Sequence, residues 1–441
     1  MKERIIQFGE GNFLRGFVDY FVHKLNEKEL FDGSVVVVQP IASGLVDVLN
    51  GQNCVYNLYL RGIENGKEVC EHTEIHSISR GINPYADYEA YLELAHNPDI
   101  RYIISNTTEA GIAFDPDCKL TDKPALSFPG KLTQLLLERF NAGLPGFEIL
   151  CCELIDHNAT ELKACLLKYA EHWNLPADYI LWLTSENNFH NTLVDRIVTG
   201  YPKEEAAKLN AEIGYEDKLL DTAEIFHLWV IEGNLENELP LQKAGYNVIW
   251  TDDVTPFKKM KVRVLNGAHT SMVFPALLAG IETVGDCLKD GQISAFLSTV
   301  LNSYVLPVLG NTDEAKAFAA AVMERFANPY IHHLLKSIAL NSTSKYSVRV
   351  LPTLLDYKEM SGSIPKPLVV SLAALIRYYK TEEISDTPSA VEYVKANTVT
   401  DILNNADLWG VSLTDLIPLT EEAYAIICDK GIREAITWAL S

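Results

Sequence analysis

The chain has 441 residues, 48% hydrophobic and 22% charged, the balance of a globular protein long enough for two cores rather than one. Its 59 acids against 37 bases leave a net charge of −22, a surface that repels phosphate backbones and anionic lipid and argues against nucleic-acid and membrane partners. Eight cysteines without a CxxC pair, no apolar leader in MKERIIQFGEGNF and no apolar run of about 18–20 residues fit a reduced, cytoplasmic chain that does not cross a membrane.

In chain order, residues 5–8 form a short apolar run ending in Gly9, followed by an amphipathic helical stretch over 13–25. Residues 35–38 are four valines, which suits a parallel strand covered on both faces. Similar runs at 102–105 and 147–151 predict strands, and 179–183 reads as another. Strands alternating with helices imply crossover connections and a parallel sheet. After the strand-like 247–250 the pattern changes, and 315–326, 367–379 and 421–440 carry apolar residues at helical spacing. The boundary is placed within 251–256. The expected fold is α/β: a Rossmann-like domain with a mostly parallel sheet over 1–255, then a mostly α-helical domain over 256–441.

The glycines of the first turn point to a nucleotide. Gly9 permits a tight turn at the strand end, and Gly11 lets backbone approach a pyrophosphate at a helix start. Gly16 comes later than the third glycine of a GxGxxG fingerprint, so the motif alone is weak. The valine strand ends in Gln39-Pro40 rather than in an acid. Gln39 can bond a ribose, yet it does not choose between NAD and NADP. The segment SNTTEAG, with Thr107, Thr108 and Glu109, suits either the rim of a cofactor crevice or an ordinary loop.

The most informative stretch is KMKVRVLNGAHTSM. On a regular helix Lys261, Asn266 and His269 fall within an arc of about 140°. Hydride transfer at an alcohol carbon needs a proton carrier and donors to the developing oxyanion, which lysine and asparagine supply, with the histidine on a neighbouring oxygen. The same residues also fit a snorkelling lysine and a satisfied core histidine. Asn266-Gly267 inside an apolar helical pattern nonetheless costs about 1 kcal/mol relative to alanine, which asks for close packing or function.

Taken together these segments resemble the polyol-specific long-chain dehydrogenases, the family of mannitol dehydrogenase, over essentially the whole chain. QFGEGNFLRGF is similar to the family's GxGxFxR turn, SNTTEAG to its TEGG-like segment, FHNTLVDRIV to its signature, and KVRVLNGAH to its K-x-R-x-L-N-x-x-H helix. SKYSVRVLPTLLDY resembles its substrate-side segment, and NTTEAG with NTLVDRIVTGYP is most similar to members that reduce a keto-uronate. The resemblance implies NAD(H) held by Phe8, Gly9, Gly11, Asn12, Phe13, Gln39, Thr107, Thr108 and Glu109. It implies catalysis by Lys261, Asn266 and His269, with Asp195 and Arg196 of the signature on the substrate side. Where the family has a Cys-Asp-Asn triplet, this chain has Cys152-Glu153-Leu154, so the second oxyanion asparagine is missing or replaced by Asn158. Thr199 stands where the signature usually has proline or serine, and Lys258 where mannitol dehydrogenases carry an acid. A uronate carboxylate calls for a bidentate guanidinium, for which Arg349 is the first candidate and Lys345 the second. The implied partner is a small sugar acid, for a monomer or small homo-oligomer.

His72 and His76 share a face of a strand-like stretch without a third ligand, so no metal site is expected. His332-His333 reads as surface, and Glu421-Glu422 as the start of a solvated helix.

Overall fold

A computed structural model describes all 441 residues, in two compact units: 1–62 with 69–255, and 63–68 with 256–441. The strands are β1 (Lys2–Phe8), β2 (Gly33–Val38), β3 (Tyr56–Glu64), β4 (Lys67–Ile75), β5 (Ile78–Ile82) and β6 (Tyr102–Ser105). They continue as β7 (Glu148–Cys151), β8 (Asn188–His190), β9 (Thr192–Asp195), β10 (Asp221–Glu224), β11 (Leu228–Glu232) and β12 (Val248–Thr251). Six of them form one sheet in the order β5-β2-β1-β6-β7-β8, every pairing parallel. That is the doubly wound Rossmann order, as the alternation of strands and helices predicts.

The two-residue period explains why the sheet is buried on both faces. Ile5, Val35, Val37, Tyr102 and Ile104 enter one core, and Ile6, Phe8, Val36, Val38 and Ile103 the other. Burying each such side chain stabilises the fold by about 1.5–3 kcal/mol. Two further three-stranded sheets, β10-β3-β4 and β12-β11-β9, complete the strands.

Two expectations are corrected in the first unit. The stretch 13–25 is two helices, Asn12–Arg15 and Val18–Glu27, interrupted where Phe17 has φ −132° and ψ −82°. Residues 179–183 lie in the helix Ala177–Ser185: Tyr179 and Leu183 are buried while Leu181 is 66% exposed, a helical rather than an alternating pattern.

The residues after 253 are mostly helical, as expected. Asp313–Phe326 and Lys366–Thr381 match the predicted segments, and the helix Gly267–Leu278 packs on the latter through Phe274 against Tyr378 and Tyr379. The final stretch is two helices, Ile417–Lys430 and Ile432–Leu440, broken at Gly431 (φ +89°). Glu421 and Glu422 therefore do not open a helix. Glu421 accepts from Thr400 Oγ1 at 2.6 Å and Glu422 from Trp438 Nε1 at 3.1 Å. His72 lies in β4, stacked on Tyr59 and hydrogen-bonded to Asn57 at 2.7 Å. All eight cysteines are free thiols, and no helix is long and apolar enough to cross a membrane.

Candidate active site

Strand order reverses between β1 and β6, and the carboxyl ends of β1, β2 and β6 carry Gly9, Gln39 and residues 106–109 to one edge of the sheet. Backbone bonds tie these ends together: Gly9 N donates to Val38 O and Asn106 N to Phe8 O, both at 3.1 Å. Gly9 has φ +125°, and a Cβ on it would stand 3.0 Å from Asn106 O, so only glycine brings β1 this close to β6 before turning. A Cβ on Gly11 would meet nothing within 4 Å. Open space above a glycine that precedes a helix start suits the pyrophosphate of a dinucleotide.

The predicted nucleotide contacts divide. The Phe8 side chain is fully buried against Tyr91 and Phe128, so only its backbone faces the turn. Asn12 Oδ1 accepts from the Arg15 guanidinium at 2.6 Å, and Phe13 stacks on Phe17 at 5.0 Å. Gln39 is buried and its amide nitrogen closes its own turn, donating to Ile41 O at 2.9 Å and Ala42 O at 3.3 Å. The sequence offered no acid at the end of β2, yet the fold brings one: Glu10 and Gln39 converge on Gly44, and Glu10 Oε1 accepts from Leu45 N at 3.2 Å. Thr108 is exposed and holds φ +74°, a backbone strain of the kind that gathers at binding loops, and Glu109 is exposed beside it.

Glu153, which in the sequence shows only as a departure from the family triplet, anchors that loop. It is buried, its Oε1 accepts from both Thr107 N and Thr107 Oγ1 at 3.0 Å, and its Oε2 accepts from Ser105 Oγ at 3.1 Å. Burial pushes its carboxyl above the usual range despite these donors. Glu153→Ala orphans both Thr107 donors and is expected to cost about 2–4 kcal/mol of stability and to weaken dinucleotide binding about tenfold. Glu153→Gln is expected to retain most of both, because its amide oxygen accepts from Thr107 while the Ser105 hydroxyl turns to accept from its nitrogen. Thermal melts and fluorescence titration check this, and equal losses in the two variants would remove the anchoring role.

Two sequence candidates are corrected by their partners. Asn158 is buried, and its amide nitrogen faces Cys151 O, Glu153 O and Thr192 O at 2.8–3.0 Å, leaving no donor for an oxyanion. Arg196 is likewise buried, donating to Gly16 O, Phe226 O and Ile225 O and lying 5.2 Å over the Tyr20 ring. Burial lowers its guanidinium to about 10. It braces the turn at Gly16 rather than offering a fork to a carboxylate. Asp195 beside it is buried at the end of β9, its backbone paired with Leu228.

The second unit holds the Lys-Asn-His stretch. Lys261 ends the helix Thr255–Lys261, Val262–Asn266 form a π turn, and the helix Gly267–Leu278 follows. Gly267 N donates to Val262 O, five residues back. A regular helix would set Lys261 and Asn266 about 140° apart; the wider i→i+5 turn brings them closer to one line. A Cβ on Gly267 would stand 3.1 Å from Arg349 O, so the glycine is there to let the helix Ser342–Arg349 approach. Arg263, inside the turn, is held by Asp356 and Thr353 Oγ1, each at 2.9 Å.

Polar groups without protein partners gather on this stretch. The Asn266 amide caps nothing, and His269 Nε2 is buried with no hydrogen bond. The His269 ring stacks on Phe326 at 4.1 Å and meets the edge of His333 at 5.2 Å. Burial first, and then the charges of His333, Arg325 and Arg349, hold its pKa far below the usual histidine value. The half-buried Arg349 guanidinium makes no hydrogen bond or ion pair, and burial alone depresses it. Lys345, in contrast, donates to Ile338 O at 3.0 Å. His333 corrects the surface reading: its ring is half-buried and its position is set by Val284 N, which donates to His333 O at 3.0 Å. Its approach to His269 spans 64 residues of chain, and no local pattern announces it.

A Rossmann dinucleotide-binding sheet followed by a helical unit bearing a lysine, an unpaired amide and a neutral imidazole defines a two-domain oxidoreductase. The chain belongs to the mannitol dehydrogenase family: residues 3–243 match the mannitol dehydrogenase Rossmann domain and 253–426 the mannitol dehydrogenase C-terminal domain. It is 44% identical to an altronate oxidoreductase of Escherichia coli and 49% identical to one of Klebsiella pneumoniae, in each case over 98% of this chain and 96% of the relative. Among solved structures it is similar to a substrate-free D-sorbitol dehydrogenase, with a TM-score of 0.88 and 26% identity over 99% of this chain and 95% of that one. The fold is also that of Pseudomonas fluorescens mannitol 2-dehydrogenase, solved as a ternary complex with NAD and D-mannitol, with a TM-score of 0.73 and 23% identity over 100% and 94% of the two chains.

Proposed function

We propose that this protein is an altronate oxidoreductase, which reduces D-tagaturonate to D-altronate, and the reverse, with NAD(H). Support comes from near full-length likeness to relatives of that name and, within this chain, from one observation above all. A half-buried guanidinium without a partner belongs to Arg349, whose backbone oxygen would stand 3.1 Å from a Cβ on Gly267, two residues before His269. An unpaired cationic hydrogen-bond donor in a chain of net charge −22 suits an anionic substrate.

When bound, the reduced nicotinamide supplies the hydride that converts the ketone carbon to an alcohol. The chain's residues manage the oxygen. Lys261 gives its proton to the oxygen as negative charge develops there, and takes one back in the oxidation direction. Asn266 donates its amide N–H to the same oxygen. His269, held neutral, orients a neighbouring hydroxyl. Arg349 clamps the carboxylate in two parallel hydrogen bonds. For the nucleotide, the Glu10 carboxylate beside Gln39 supports NAD(H) over NADP(H), because an added phosphate there would meet a buried acid.

The decisive assay mixes purified protein with tagaturonate and either NADH or NADPH and follows the absorbance of the reduced cofactor. Consumption of NADH, with NADPH at least about tenfold slower, is the expected result. No consumption of either cofactor would end the proposal, and faster rates on fructuronate or fructose would move the assignment to another member of the family.

A further inference from the structure

His269 has a function in the proposed reaction; the imidazole packed against it does not. His333 lies far from the Lys-Asn-His stretch in sequence, yet its ring meets that of His269 edge to face at 5.2 Å and 77°. Phe326 is stacked on the His269 ring at 4.1 Å and 16°. His269 is thus held between a phenyl face and a second imidazole. The His333 backbone is pinned as well: its N–H donates to Ile331 O, its carbonyl accepts from Val284 N, both at 3.0 Å, and Thr283 and Leu334 form a bridge next to it.

Neither ring has a hydrogen-bond partner in the protein: His269 Nε2 is buried and alone, and for His333 burial is the only influence on its charge. An unpaired polar atom inside a fold is costly, and the buried His269 Nε2, with the half-buried His333 ring against it and the backbone of the unpaired Arg349 close to Gly267, is the mark of a receptor. Burial favours the uncharged form of both rings. A neutral imidazole carries one donor and one acceptor nitrogen, the pattern that pairs with an alcohol hydroxyl, which also gives one proton and accepts another. A carboxylate, which only accepts, is better met by Arg349.

We propose that His333 is a specificity-determining residue that binds a hydroxyl of the sugar-acid chain next to the one held by His269, so that the enzyme distinguishes acids epimeric at that carbon. The inference rests on the sugar-acid reading of the same site. A position built to hydrogen-bond a hydroxyl rejects a substrate that cannot present it, because the half-buried imidazole, shut off from water by the bound substrate, is then left unpaired.

The test uses the full-length enzyme, its His333→Phe variant, which keeps the ring volume without polar atoms, and His333→Asn, which keeps a donor and an acceptor. For each, kcat and KM are measured on tagaturonate and on its epimer fructuronate, with NADH affinity as a control for folding. His333→Phe is expected to lower kcat/KM for tagaturonate about 100-fold, mainly through KM, and to shrink the preference between the acids at least about tenfold. His333→Asn is expected to recover at least about tenfold of that loss, and it decides the matter should the phenylalanine variant lose NADH binding. A preference that survives His333→Phe unchanged, or a His333→Asn variant as poor as His333→Phe, overturns the inference while leaving the reductase intact. A wild-type enzyme inactive on both acids overturns the sugar-acid reading and this inference with it.

Discussion

Lys261→Ala is expected to reduce turnover of tagaturonate about 10³–10⁴-fold while leaving the dissociation constant for NADH within about threefold of wild type. The expectation follows from position as much as from residue type. Lys261 is the last residue of its helix, and the π turn after it draws Asn266 toward the same line. Proton donation and oxyanion stabilisation then come from adjacent side chains on one rigid segment, which is what hydride addition to a ketone asks for. Nucleotide affinity is expected to persist because the glycine turn belongs to the other unit. Asn266→Ala, made alongside, should lose about 10²–10³-fold. The double variant should lose less than the product of the two, since both act on one oxygen. Partial rescue of Lys261→Ala by small primary amines would mark the missing group as a proton carrier. If turnover survives within about tenfold of wild type, the proton assignment is wrong.

Arg349→Ala should produce the second large effect, a fall of about 100-fold in kcat/KM on tagaturonate with little change on a neutral ketose such as fructose. A charge-assisted, bidentate pair in a half-buried setting is worth about 3 kcal/mol, and a neutral ketose has no carboxylate with which to form it. Arg349→Lys should recover only part of the loss, because an ammonium is a point charge and not a planar fork. Stability separates this role from a structural one. Arg349 has no internal partner, and the contact that matters to Gly267 is made by its backbone oxygen. Removing the guanidinium should therefore leave the melting temperature unchanged or slightly raised, because a partly desolvated charge without a partner costs the folded state. Equal slowing on uronate and fructose, or a large drop in melting temperature, would refute the clamp.

How far these groups were legible beforehand depended on how local their signal is. Gly9 and Gly267 declare themselves because glycine at a strand end, or inside an apolar helix, is costly unless backbone must pass close by. Asn106 O and Arg349 O are the atoms that pass. The valines of β2 are legible because a strand buried on both faces has no polar side to alternate with. The run at 179–183 misled because an apolar run reads equally well as strand or helix. Only tertiary burial, with Tyr179 and Leu183 inward and Leu181 outward, separates the two. Arg196 and Asn158 misled for a different reason. Residue type reveals how many donors a side chain has but not which carbonyls will take them, and backbone oxygens of the first unit take these.

By itself, then, the amino-acid order determined the class of fold, the glycine turn after the first strand and the Lys261, Asn266 and His269 stretch, because each is written in backbone preference or periodicity over a few residues. Only the tertiary structure decided which polar groups remain available. It turned Asn158 and Arg196 inward, set Glu153 under Thr107, brought Glu10 beside Gln39 and laid His333 against His269. Hydrogen-bond partnership is a property of atoms brought together from distant parts of the chain, and their separation in sequence carries no trace of it.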